Sequence, residues 1–436
     1  MVTTTGALGP SRSPVPLLGR LSLMMFLQYF VQGCYLPIAS LYVAQTLGFT
    51  PRQVGIFVAA LAVGPVLAPF LIGQVVDRAF ATERVMAFCH FVGGALMLAL
   101  FFQTQPVPVI VIGTVYSVLY VPTMMLSNSL AFHHLKDSDM EFPWIRLFGT
   151  LGYIVPAYLI EFWWLYGLKG DELNQARGIV FVFSGVVGLI MAAYCLTLPH
   201  TPAQKREDRR YAPGAVIAML REQAFLVLVV VSFFIAMVHQ FVIVWYGPFM
   251  RTILDTGGWG AYEQTISSLG QICEIGVLAI LGFMIKRFGF KATLLLGATA
   301  YLLRCVLFSL VFSIDPPFLG KLILGAIGQG LHGFCFGCFL AAAYMYVDRI
   351  APKDIKGSMQ TLYGVFVIGL GFFVGGLVGG EVGDWFSTEI NGETHYDWTS
   401  IWLVCTIFCA VCVLAFAAFF PKELPSRDFQ TAEEKA

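Results

Sequence analysis

"PHTPAQKREDRRYAPGAVIAMLRE", residues 199–222, decides how this chain is read. It is the longest internal polar stretch. Long apolar runs lie on both sides of it, at 177–198 and 223–250. A helix that crosses a bilayer needs about 20 apolar residues at about 1.5 Å each. Applied outward from 199–222, that length finds apolar runs at 21–45, 53–76, 84–103, 107–131, 144–166 and 177–198 before the stretch. Others follow it at 223–250, 262–285, 290–313, 317–347, 357–380 and 398–420. The sequence therefore predicts an all-α integral membrane protein of twelve transmembrane helices, six on each side of a central loop.

Composition agrees. The 436 residues are 58% hydrophobic and only 12% charged, with a mean hydropathy of +0.78. Soluble domains average about 25% charged residues. Lys+Arg and Asp+Glu balance at 26 each, which argues against nucleic acid as a partner. The ten cysteines all fall in apolar stretches and read as small packing residues. Cys335-x-x-Cys338 lacks the second pair that a metal site would need, so no metal or other cofactor is expected. Residues 1–19 are polar, and the first apolar run is too long for a cleavable signal, so none is expected.

Basic residues set the expected orientation. With both termini in the cytoplasm, nineteen Lys and Arg fall on inner segments, among them Arg78, Lys205, Arg206, Arg209, Arg210, Lys286, Arg287 and Lys291. Only Arg52, Lys169, Arg177, Arg251 and Lys321 fall outside, where Asp384, Glu389, Glu393 and Asp397 add negative charge. The layout is then an inner tail (1–20), a six-helix bundle (21–198), the loop 199–222, a second bundle (223–420) and an inner tail (421–436). The halves echo each other: Gly73 precedes Asp77-Arg78 at the end of span 2 as Gly282 precedes Lys286-Arg287 at the end of span 8. Gly73 permits a close helix approach, and Asp77 can cap a neighbouring helix, so Gly73, Asp77 and Arg78 read as a gate clasp. Six-plus-six halves and a Gly-x-x-x-Asp-Arg pattern resemble the major facilitator superfamily.

Charged residues inside spans are costly and are functional candidates by default. Glu274 lies mid-span with Gln271 three residues earlier on the same face. A carboxyl beside an amide suits ribose hydroxyls, and Glu274 is the candidate proton carrier. Arg146, Thr150 and Tyr153 form one stripe of span 5 that suits a planar heteroaromatic solute. In span 7, Gln240 is preferred to His239 as the residue facing a cavity, because successive residues point about 100° apart. His332 and Phe336 share a face of span 10. Glu161 is expected to reach the membrane interface, and Arg304 to pair with a backbone carbonyl or an acid. No nucleophile–base pair or phosphate-cradling loop points to an enzyme.

These segments carry a closer resemblance. "FLQYFVQG" (26–33), "CHFVGG" (from Cys89), "YVPTMMLSNSL" (120–130), "FPWIRLFGTLGY" (142–153), "LTLPHTP" (196–202), "SLGQICEI" (268–275), "LLR" (302–304) and "DWTSIW" (397–402) resemble the bacterial nucleoside:proton symporters, the nucleoside permease and xanthosine permease group. The resemblance implies a proton-coupled nucleoside importer of the inner membrane, monomeric and surrounded by lipid. It also implies substrate contacts from Arg146, Thr150, Gln240, Gln271, Glu274 and Phe336. Tyr153 stands where relatives have Phe, His332 where Tyr occurs, Ile243 where Asn can stand, and Gly337 where an acidic residue is expected. An uncoupled facilitator, or a carrier of a sugar or modified nucleoside, remains the alternative.

Overall fold

The structure, a computed structural model, describes residues 13–71, 80–202, 218–352, 355–390 and 393–421. Gly73, Asp77 and Arg78 lie outside these, as does most of the 199–222 stretch.

Eleven helices among the described residues are long and apolar enough to cross a membrane. They are α1 (Val15–Thr46), α2 (Pro51–Leu71), α3 (Thr82–Phe101), α4 (Pro106–His134), α5 (Ser138–Trp163), α6 (Gly170–Cys195), α7 (Gln223–Thr256), a 51-residue helix Glu263–Ser313, α10 (Phe318–Ile350), α11 (Lys356–Trp385) and α12 (Trp398–Phe419). Fifty-one residues of straight helix would run about 76 Å, more than twice the roughly 30 Å hydrocarbon core. Gly289 breaks it, with φ 81° and ψ 170°, a conformation that costs glycine little. The two arms, α8 (263–288) and α9 (290–313), are each about as long as one membrane crossing needs. Hydropathy alone merges them less readily than helix geometry does, because Lys286, Arg287 and Lys291 interrupt the apolar run.

Local chemistry sets several ends. Thr50 and Gln53 form a capping box, with Pro51 in the first turn of α2. Asp137 accepts from Met140 N at 3.2 Å, and Asp397 accepts from Ser400 N at 3.1 Å, at the starts of α5 and α12. The loop before α12 holds a feature the all-α reading missed. Strands β1 (Ser387–Ile390) and β2 (Glu393–Tyr396) pair antiparallel, with Ser387 opposite Tyr396. The signal was available: Asn391-Gly392 lies between them in the sequence.

The two halves repeat one packing device. In the first, a Cβ on Gly152 of α5 would strike the Phe26 carbonyl of α1. In the second, a Cβ on Gly375 of α11 would strike the Met237 carbonyl of α7. Small residues let helices touch backbone to backbone where lipid offers no hydrophobic drive for association. The halves meet across a central cavity.

One end of that interface is closed. Arg177, fully buried, donates to Glu263 Oε1, to Asn174 Oδ1 and, at 3.0 Å, to the Gly260 carbonyl. Arg251 donates to the same Glu263 oxygen at 3.1 Å and to Asp255 Oδ2 at 2.6 Å. Glu161 of α5 accepts from Gln264 N at 2.5 Å and Thr265 N at 2.8 Å, capping α8 across the interface. Sequence reading put Arg177 and Arg251 in outer loops and Glu161 at the interface with lipid headgroups. All three are buried, because each has a partner that repays its removal from water, remote in sequence for Arg177 and Glu161 and across the α7–α8 turn for Arg251. On the same end, Gly55 of α2 meets the Gly380 backbone of α11, and exposed Arg52 bridges Glu381 at 3.1 Å and Asp384 at 3.2 Å.

Candidate functional site

A cavity of about 1050 Å³ lies between the halves. Its wall includes Arg146, Thr150 and Tyr153 from α5, Gln240 from α7, Gln271 and Glu274 from α8, and His332 and Phe336 from α10. Sequence reasoning selected these eight side chains from four separate spans, and the fold brings all of them to one space. The cavity extends to Thr82, Thr201 and Gln360, at the end opposite the Arg177–Glu263 closure.

The α5 wall is cationic and aromatic. Arg146 lies over the ring of Tyr29, its Cζ 4.2 Å from the centroid, a cation–π contact that fixes the guanidinium without consuming its donors. Tyr29 and Tyr120 join Tyr153 on this wall. Behind it, a buried polar shell holds the rings in place. Gln28 donates to Thr123 Oγ1 at 2.8 Å and is bonded to His90 Nε2 at 2.9 Å, and Tyr120 donates to the Gln28 carbonyl at 2.6 Å. None of these residues was singled out as a site candidate from the sequence. Tyr29 and Gln28 sit within "FLQYFVQG", where polar residues in an apolar span were the available signal.

The opposite wall carries a chain of polar groups. Arg304 of α9 lies 3.2 Å, Nη1 to Nδ1, from His332, and donates to Gln329 Oε1 at 2.5 Å. Gln329 in turn donates to the Ser267 carbonyl at 2.7 Å. A guanidinium can only donate. His332 Nδ1 is therefore the acceptor, and the proton of the neutral ring sits on Nε2. That atom is 3.7 Å from Glu274 Oε2, beyond a direct hydrogen bond and close enough for strong electrostatic coupling. The expectation that Arg304 pairs with a backbone carbonyl or an acid is corrected: its partners are the side chains of a histidine and a glutamine, and it lines the cavity.

Gly333 makes this juxtaposition possible. A Cβ there would lie 2.5 Å from Cys273 C and 2.6 Å from Glu274 N, so α8 and α10 touch at the backbone just where Glu274 and His332 face each other.

His239 and Gln240 both reach the cavity wall, although successive helical positions were expected to place only one there. The wall wraps far enough around α7 to meet both directions. His239 is bonded to Tyr301 Oη at 2.7 Å and stacks on Phe372 at 5.2 Å. Gln240 donates to the Val58 carbonyl of α2 at 3.3 Å, joining the two halves. Gly337 is not on the wall. It is buried, and a Cβ there would lie 2.7 Å from Val277 Cγ1, so the position expected for an acidic residue is a helix contact here.

Residues 16–424 match the family described as nucleoside H+ symporter. The chain belongs to that family. It is similar to the xanthosine permease of Escherichia coli K12, with 29% identity, covering 88% of this chain and 91% of the relative. It is also similar to the nucleoside permease NupG of the same organism, with 25% identity over 92% and 95% of the two chains. The crystal structure of the nucleoside transporter NupG superposes with a TM-score of 0.82 at 24% identity, covering 93% of this chain and all of that one. That likeness establishes the major facilitator fold. As a nucleoside H+ symporter family member, the chain is a multi-pass membrane transporter rather than an enzyme.

Proposed function

We propose that this transporter imports nucleosides with a proton, by alternating access around the central cavity, and that Glu274 carries the proton. The observation that supports this most is the split chemistry of one cavity. Arg146 among aromatic rings on the first-half wall faces a second-half wall that carries the Glu274 carboxyl, the Gln271 amide and the His332 imidazole, the last of these held by Arg304. A nucleoside has the matching two ends, a flat heteroaromatic base and a hydroxyl-rich ribose. The relatives' names, a nucleoside permease and a xanthosine permease, support the same substrate class.

In this reading Arg146 and Thr150 donate to base heteroatoms, and Tyr153 and Phe336 enclose the ring faces. Gln271 and ionised Glu274 accept from ribose hydroxyls, with Gln240 and His332 bounding the pocket. His332 presents its Nε2 proton toward Glu274, so the carboxylate is stabilised when ionised and still able to accept a proton from the open side. Protonation removes its negative charge and exchanges an acceptor for a donor, which alters its grip on a diol. Both termini and the 199–222 loop lie in the cytoplasm, joining bundles 21–198 and 223–420 in a lipid-embedded monomer. Gly73, Asp77 and Arg78 act as the clasp at that face. The cavity then opens inward, and the Arg177–Glu263–Arg251 cluster shuts the outer end.

Uptake of radiolabelled uridine and adenosine into proteoliposomes, with and without an inward proton gradient, tests this reading. Gradient-stimulated uptake that Glu274→Gln abolishes is the expected result. Uptake no greater than in empty vesicles would remove nucleoside transport. A second reading, uncoupled facilitation, is favoured by one observation: Gly337 offers no carboxyl on α10. It predicts uptake indifferent to the gradient.

A further inference from the structure

A second hollow lies outside the transport pathway, where α8 bends into α9 beside the ends of α10 and α12. Its volume is about 410 Å³. Three cations line it, Lys286, Lys291 and Arg349, and no acidic residue does among the described residues. It contains the Gly282-to-Lys286 segment that echoes the loop 2–3 pattern, which the transport mechanism leaves unused.

The hollow is a consequence of the bend. Gly289 turns the chain with φ 81°, and neither Gly289 nor Gly282 has an atom within 4 Å of where a Cβ would lie. Lys291 donates to the Ala417 carbonyl at 2.9 Å and to the Phe420 carbonyl, so it caps α12 and fixes one positive charge at the rim. Lys286 and Arg349 are exposed and make no ion pair among the described residues. The nearest acid on α10, Asp348, is engaged elsewhere, 2.8 Å from Lys356 and 2.7 Å from Gln360.

An independent feature points to a ligand. Tyr346 lines the hollow, is 1% exposed, and its hydroxyl has no hydrogen-bond partner among the described residues. Its ring is held between Phe290 and Phe420, each 5.3 Å away. A buried hydroxyl left unpaired is uncommon and implies an absent partner. Exposed Phe283 and Phe288 flank the hollow on the same bend, an apolar surround beside a cationic floor.

We propose that this hollow binds a phosphate-bearing anion, held by Lys286, Lys291, Arg349 and the Tyr346 hydroxyl. The charge set matches the basic inter-helix pockets that take phospholipid headgroups, and the flanking phenylalanines suit acyl chains. Soluble phosphate shares the headgroup chemistry, and the test separates the two sources.

The full chain in neutral detergent is titrated with phosphatidylglycerol, phosphatidylcholine and inorganic phosphate, with bound ligand followed by native mass spectrometry and by thermal shift. Three proteins are compared: the wild type, the double variant Lys286→Gln/Arg349→Gln, and the control Arg287→Gln, whose charge adjoins the hollow without lining it. Phosphatidylglycerol should bind in preference to phosphatidylcholine, and the double variant should weaken that binding roughly thirtyfold while the control does not. A response to inorganic phosphate of the same size, lost in the same variant, identifies the soluble source. Equal losses in the double variant and the control, or no preference over phosphatidylcholine together with no phosphate response, would overturn the site.

Discussion

Two buried arginine clusters in this molecule use the same parts to opposite ends. At the closed end, Arg177 and Arg251 share the Glu263 carboxylate, and Arg251 also has Asp255. Cations and carboxylates balance, and the partners come from both halves. At the cavity, Arg304 is bonded to His332 and Gln329, neither of them a carboxylate, and all the partners belong to the second half. The nearest acid, Glu274, is one residue further along the chain of contacts, 3.7 Å from His332. The difference is between a lock and a receptor. Charges that neutralise each other across an interface hold it shut, whereas charges held by neutral groups keep their field for a solute or a proton.

The largest expected effect comes from breaking the lock. Arg177→Ala leaves Glu263 buried with one cation, and losing half of a buried pair costs about 3–5 kcal/mol. In the proposed orientation the cost falls only on the state in which the outer end is closed, so the population should move toward outward-open. Spin-label distances between the outer ends of α6 and α8 should lengthen; unchanged distances would mean that the cluster is not the lock. Arg146→Ala should act on the other region alone. A lost hydrogen bond to a charged group is worth about 1.5–3 kcal/mol, or roughly 10–100-fold weaker nucleoside binding by calorimetry. A parallel change in the outer-end distances would blur the separation between the two regions.

Gly333→Val probes what brings Glu274 to His332. Overpacking costs about 1–3 kcal/mol, read as a lower melting temperature. Gradient-driven uptake should fall more than nucleoside binding, because the displaced pair serves coupling before affinity. Equal losses in both would assign Gly333 to general packing. The smallest effect belongs to Arg52→Ala. Its bridges to Glu381 and Asp384 cross the same interface as the lock, but they are exposed, and exposed pairs contribute about 0–1 kcal/mol. Outer-end distances and uptake should stay near wild type; a change as large as that from Arg177→Ala would show that burial is not what gives the lock its strength.

The cavity residues were legible in the sequence for a simple reason. Arg146, Glu274, Gln271 and Gln240 interrupt spans that otherwise avoid polarity, and lipid gives such residues no partner, so they must face inward. The lock was not legible. Arg177 lies 86 residues from Glu263, and each sits near a span end, where charge is ordinary. A charge at a helix end satisfied by water looks the same in sequence as one satisfied by a remote partner. The role of Arg304 was misread for a related reason. A basic residue inside a span announces that it needs partners, but not whether an acid, a backbone carbonyl or a pair of neutral side chains supplies them.

What the sequence determined by itself was everything that depends on neighbours along the chain: the apolar runs and their order, the polar stretch that divides six from six, the asymmetry of basic residues, and the few side chains that cannot face lipid. Hydropathy and helical period are local properties, and they need no knowledge of contacts. Tertiary structure alone decided which helix faces meet. It put Glu274 against His332 through Gly333, moved Gly337 off the cavity and onto Val277, and buried Arg177 with Glu263. It also joined Lys286, Lys291 and Arg349 around one hollow. Each of these depends on the packing of segments far apart in the chain, where the burial of a charge is decided by the partner that arrives and not by the residues beside it.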